Sequence, residues 1–289
     1  MIALRFIQPF VHTNILISLA AVFLTVETQL QLNLDPHWHP YLCLIFIATF
    51  FEYNLHRLVT ILTSQDVSTA VKHRWAVHHV KTFHVLVVGS FVALLIAVTQ
   101  TSFLALLVLA PFAFLTLFYT LPVSIVGDKT FRLRQIPFLK IFLVSITWSA
   151  TTVLLPVIHH GISLDAHVWL VLFERALFVF AITIPFDIRD MIEDERLGLK
   201  TIPLFIGERK SRMISVLMLM VFIIVTAIHY AHTSQMFLAV ALSISALTTM
   251  WLITQERIRQ LPLYHYGILD GTMLLQGVIV LGAYPLCMI

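Results

Sequence analysis

Nine apolar runs of about twenty residues recur along this chain, at approximately 12–31, 41–58, 83–99, 102–121, 138–157, 167–186, 212–230, 235–254 and 266–287. A run of that length crosses the ~30 Å hydrocarbon core of a bilayer as an α-helix, which satisfies its backbone hydrogen bonds within one segment. Only 11% of the 289 residues are charged and the mean hydropathy is +0.93. A water-solvated globule needs roughly 25% charged residues to cover its surface. The expected fold is an all-α polytopic membrane protein, a single integral-membrane domain over residues 1–289. Its first run is too long for a cleaved signal, and no small-residue cleavage site follows it. Cys43 and Cys287 both fall inside predicted spans and read as buried apolar thiols.

The charges alternate from one connection to the next. Loops after the first, third, fifth and seventh runs are short or lack Lys and Arg. Those after the second, fourth, sixth and eighth hold Arg57, Lys72, Arg74 and Lys81; Lys129, Arg132 and Arg134; Arg189, Arg196, Lys200, Arg209 and Lys210; and Arg257 and Arg259. Together with Arg5, this pattern places the N-terminus and all four basic loops in the cytoplasm and the C-terminus outside. The bacterial inner (cell) membrane is the expected location. The first half, with its long loop at about 59–82, and the second, with its long loop at about 187–211, share a layout without residue-level repetition.

Five of the fifteen acidic residues, with three basic ones, gather in FDIRDMIEDERLGLKTIPLFIG, from Phe186 to Gly207. Asp187, Asp190 and Asp194 follow the spacing i, i+3, i+7, one face of a helix that continues past the membrane edge. Like charges so placed repel unless a cation lies between them. Oxygen donors with no interleaved His or Cys suit a hard cation such as Mg²⁺. A solvated acidic helix end is the competing reading. Against it stands the punctuation that follows, in which Gly198 ends the helix and Thr201, Pro203 and Gly207 come in the order G-x-x-T-x-P-x-x-x-G.

The run D-x-R-D-x-x-x-D-x-x-x-G-x-x-T-x-P-x-x-x-G, at the inner end of the sixth of nine spans, resembles the second aspartate-rich motif of the UbiA-type intramembrane prenyltransferases. Tyr119 to Pro122 (YTLP) and Lys140 resemble further segments of that family. The resemblance implies a bundle of nine transmembrane helices around an apolar cavity that opens to the cytoplasmic side. It implies a prenyl diphosphate bound through Mg²⁺, ionised to an allylic cation and transferred to a lipophilic, often aromatic acceptor. On that basis Asp187, Asp190 and Asp194 would hold the metal, with Asn54 as ligand or hydrogen-bonding partner. Arg57, Arg74, Lys140, Arg189, Lys200 and Tyr119 would face the diphosphate. A membrane terpene cyclase of the same superfamily and a non-catalytic isoprenoid-binding protein are the alternative readings.

The family's first motif, N-D-x-x-D-x-x-x-D, is degenerate. Aligned on Asn54, its three aspartates fall on Leu55, Leu58 and Leu62. Glu52, Asp66 and the histidines 56, 73, 78, 79 and 84 crowd the same segment, as interfacial side chains or as a transition-metal site. Deeper in the membrane, Glu174 and Arg175 sit near the middle of the sixth span. Adjacent on one helix, they are expected to pair with other spans. Asp270 lies about a turn inside the ninth, near the expected cavity mouth.

Overall fold

The computed structural model describes residues 8–63, 74–121, 123–126, 129–131, 136–231 and 233–284. Its long helices are α1 (Ile15–Gln31), α2 (Pro40–Thr63), α3 (Val80–Thr99), α4 (Phe103–Thr120), α5 (Leu139–His159), α6 (Ala166–Arg196), α7 (Glu208–Tyr230), α8 (Met236–Thr254) and α9 (Asp270–Ala283). A π-helical turn, Tyr264–Leu269, leads directly into α9. Among the described residues, seven helices are long and apolar enough to cross a membrane, while the apolar α1 and α4 are shorter. One departure from an all-helical chain follows α4, where Val123–Val126 and Lys129–Phe131 pair as an antiparallel hairpin. Its β-branched Val, Ile and Thr residues favour extended backbone over a helical turn.

The helices close into a ring. Each of α5 to α8 packs on the next in sequence, α8 packs on α9, and α9 returns to α1, which also meets α2 and α5. Outward faces carry large apolar side chains, among them Leu107, Ile146, Met213, Ile224 and Ile228. In a bilayer those faces need no polar cover, because lipid tails are as apolar as leucine. The α9–α1 approach is close because Gly277 lacks a side chain: a Cβ there would lie 2.8 Å from the Phe23 carbonyl oxygen and Cβ. Gly277→Val therefore separates α9 from α1 and costs about 1–3 kcal/mol, read as a lowered melting temperature in detergent.

Buried charges do pair between helices. Arg175 of α6 meets Glu27 of α1 at 2.8 Å, and Glu174 meets His229 of α7 at 2.7 Å. Histidines cluster at the helix ends remote from the acidic motif, where the His39 and His159 rings stand 3.8 Å apart and His160 packs on His159 and His37. Burial first, and then the neighbouring imidazoles, lower the pKa of His39 and of His160. Both are neutral in the fold at pH 7, whereas the unfolded chain takes up their protons from about pH 6.5 downward. Their contribution to stability is complete above that pH and is lost on acidification. The melting temperature should fall between pH 7 and pH 5, and His159→Gln should flatten that slope by removing the shared neighbour.

Candidate functional site

The thirty-one residues of α6 carry the helix beyond the apolar stretch and through the whole acidic run to Arg196. Gly198, at φ 66°, ends it. The Leu199 N–H donates to the Asp194 carbonyl (2.8 Å) and the Gly198 N–H to the Glu195 carbonyl (3.0 Å), the 6→1 and 5→2 pair that a left-handed glycine permits. The chain then turns back, and the Lys200 carbonyl accepts the Phe138 N–H at 2.9 Å. That bond ties the loop after the motif to the start of α5 and sets Lys140 against the acidic face. Lys140 Nζ lies 2.7 Å from Asp187, 3.7 Å from Asp190 and 3.9 Å from Asp194. All three carboxylates thus face one point, and an ammonium holds it. Arg189 binds Asp190 through two bonds, Nε at 2.8 Å and Nη2 at 3.0 Å.

Asp190, Asp194, Lys140 and Arg189 open onto a cavity of about 300 Å³, whose lining does not include the buried Asp187. Leu143, Val144, Val179, Ile182 and Met273 give it an apolar wall, with Tyr53 and Trp148 alongside. Tyr119, Arg57, Lys140, Arg189 and Lys200 all line it. The side chain of Arg74 lies outside the described residues, as do His73, Asp66 and Cys287.

On α2 the structure corrects the alignment made on Asn54. The residues of α2 that line the cavity are Glu52, Tyr53, His56, Arg57 and Thr60, whereas Leu58 packs against Ala76 and Phe83. Leu55 and Leu62 are likewise absent from the lining. A shift of two residues turns a helix by about 200°, so the spacing i, i+3, i+7 that faces the cavity starts at Tyr53 and continues through His56 and Thr60. Asn54 points elsewhere. Its Oδ1 accepts from Asn14 at 3.0 Å, and its Nδ2 donates to the Thr13 (3.1 Å) and Phe50 (2.7 Å) carbonyls. A fully buried amide must satisfy its polar atoms within the protein, so Asn54 anchors α2 to the start of α1 and is not a cavity ligand.

Tyr266 escaped the sequence reading, and Asp270 was only a candidate. Both line the cavity, Tyr266 from the π-helical turn and Asp270 as the first residue of α9. Such turns shift side-chain phase and recur at functional sites. The guanidinium carbons of Arg57 and Arg189 lie 5.0 Å and 4.8 Å from the centre of the Tyr266 ring. The legible signal was Tyr264-His265-Tyr266, an aromatic cluster just ahead of an acid at the inner end of an apolar run.

Do these residues suit Mg²⁺? Among the described residues, no three His, Cys, Asp or Glu side chains already surround a metal-sized point; the Lys140 ammonium stands among the three aspartates. The donor chemistry nevertheless fits one hard cation, since Asp187, Asp190 and Asp194 are oxygen ligands directed at one locus. Around the cavity, Glu52, Asp187, Asp190, Glu193, Asp194 and Asp270 face Arg57, Lys140, Arg189 and Lys200.

The UbiA prenyltransferase family model matches residues 66–262 of this chain. The chain belongs to the UbiA prenyltransferase family. Solved structures of UbiA homologues share its fold. The apo homologue from Aeropyrum pernix K1 superposes with a TM-score of 0.63 at 15% identity, over 94% of this chain and 98% of that one. An Archaeoglobus fulgidus UbiA homologue bound to GPP and Mg²⁺ gives a TM-score of 0.60 at 13% identity, over 96% and 99%. The structure of an Archaeoglobus fulgidus homologue bound to DMAPP and Mg²⁺ gives 0.54 at 14%, over 96% and 98%. No curated protein matches the chain. UbiA membership and the run of apolar helices make this an integral membrane protein.

Proposed function

We propose that this UbiA-family protein is an intramembrane prenyltransferase that takes a prenyl diphosphate, with Mg²⁺, and passes the prenyl group to a lipophilic, aromatic acceptor. The observation that carries this reading is the division of one cavity into two chemistries. Carboxylates and cations form one part of its lining, and apolar side chains with Tyr53 and Trp148 form another. A diphosphate joined to an isoprenoid tail is divided in the same way. Nine crossings, with the mouth on the cytoplasmic side beside the basic loops, complete the reading.

Asp187, Asp190 and Asp194 would hold the Mg²⁺, which would supply positive charge to a diphosphate leaving group; the allylic C–O bond would break with its electron pair going to the diphosphate oxygen. Lys140 would be released from the carboxylates to the departing phosphate, with Lys200 beside it. Tyr53 and Trp148, joined by an indole N–H to hydroxyl bond of 3.3 Å, would present π faces to the allylic cation. The acceptor carbon then forms the new bond and gives up its proton to solvent or to an acid of the cavity.

The test is diphosphate release from prenyl diphosphates of several lengths by the protein in nanodiscs, with Mg²⁺ and with an aromatic acceptor present or absent. Acceptor-dependent release supports transfer. Release of a cyclised product without acceptor would establish the cyclase reading instead. A non-catalytic binder is favoured by one observation, that the Lys140 ammonium already stands at the point on which the three carboxylates converge. It would bind the diphosphate with Mg²⁺ and release none.

A further inference from the structure

Resting on that reading, we propose that Arg57 and Arg189, set against Tyr266, form a guanidinium half-site that binds the diphosphate directly where the family pattern places aspartates, so that this chain takes one divalent cation. Tyr266 is then the positioning residue of the pair.

The argument starts from the α2 face that meets the cavity. At the motif spacing it presents Tyr53, His56 and Thr60 and no aspartate, with Arg57 beside them. Arg57 is 7% exposed and held from behind. Its Nη1 donates to the His12 carbonyl and its Nη2 to Asn14 Oδ1, each at 3.1 Å, while Asn14 is fixed in turn by Asn54. Asn54 therefore acts on the site at one remove, by steadying Arg57 through Asn14. From the opposite helix, Arg189 commits Nε and Nη2 to Asp190, but its Nη1 is buried and has no hydrogen-bond partner among the described residues.

Two guanidiniums this close repel. The Tyr266 ring, with both within about 5 Å of its centre, offsets part of that through its quadrupole. Asp270 lies within electrostatic reach of both. What the arrangement lacks is an acceptor for the remaining donor. An oxyanion supplies that acceptor, and the planar guanidinium donates to it in a fixed direction that a lysine ammonium does not impose. Diphosphate is the anion that the apolar tail site beyond would deliver.

The test uses the full chain in nanodiscs with Mn²⁺ and inorganic pyrophosphate. Electron paramagnetic resonance should count one Mn²⁺ per chain in the ternary complex. By calorimetry, Tyr266→Leu should weaken pyrophosphate binding about thirtyfold, the size of one desolvated cation–π interaction, with the metal count still one. Tyr266→Phe, which keeps the ring, should bind as the parent does. Arg57→Lys, which keeps charge without the fork, should reproduce the loss and covers the case in which the leucine variant fails to fold. Two Mn²⁺ per chain with tight pyrophosphate would overturn this inference and leave the prenyltransferase reading standing. So would unchanged affinity in both Tyr266→Leu and Arg57→Lys. No pyrophosphate binding by the parent protein at all would remove both.

Discussion

Asp190→Asn lowers diphosphate release by about 10²–10³-fold, the usual size of losing one group that stabilises developing charge in a shielded site. The substitution keeps the shape of the side chain and removes its charge. That takes away one of the three carboxylates directed at the Lys140 ammonium, and it also frees Arg189 from its two-bonded partner. Because the Asp190 side chain is partly exposed, the fold should survive, and the melting temperature should move little. A chelator should produce the same loss in the parent protein and add nothing to the variant. Release by Asp190→Asn at close to the parental rate would place the metal elsewhere and remove the acidic face from the chemistry.

Arg175→Met has the largest expected effect on stability, about 3–5 kcal/mol, because it leaves Glu27 as a buried charge without its cation. Arg175 is the hub of the ring. It donates to Glu27 (2.8 Å), to the Leu24 carbonyl (3.0 Å), to Thr152 (3.2 Å) and to Gln31 (3.3 Å), joining α6 to α1 and α5. Gln276 of α9 adds a bond of 3.0 Å to the same Glu27 oxygen. Four helices therefore depend on one ion pair. Thermal unfolding in detergent, followed by circular dichroism, should show the drop. Adding Glu27→Gln should recover most of it, since the cost lies in the orphaned charge and not in a missing attraction. Equal damage from the single and double variants would show that Arg175 acts through packing alone.

Much of the architecture was legible from hydropathy. Seven of the apolar runs coincide with helices that, among the described residues, are long and apolar enough to cross a membrane, because a segment without polar side chains must close its own backbone bonds in lipid. The stop at Gly198 was legible for an equally local reason, that a left-handed C-terminal residue favours glycine. Composition also required Glu174 and Arg175 to find partners, although it could not name Glu27 and His229.

The cavity face of α2 could not be read that way. A degenerate motif offers no carboxylate to anchor an alignment, and a two-residue choice between Asn54 and Glu52 swings the helix by more than a right angle. Only the packing of Leu58 onto Ala76 and Phe83, with Asn54 bound to α1, fixes which side faces inward. Lys140 among the aspartates, and Tyr266 between arginines more than a hundred residues apart, belong to the same class. The sequence determined the helices, the acidic helix end and the stop after it, since each follows from forces acting within a turn or two of one segment. Which side chains share the cavity depends on how helices rotate against their neighbours, and ring closure decided that.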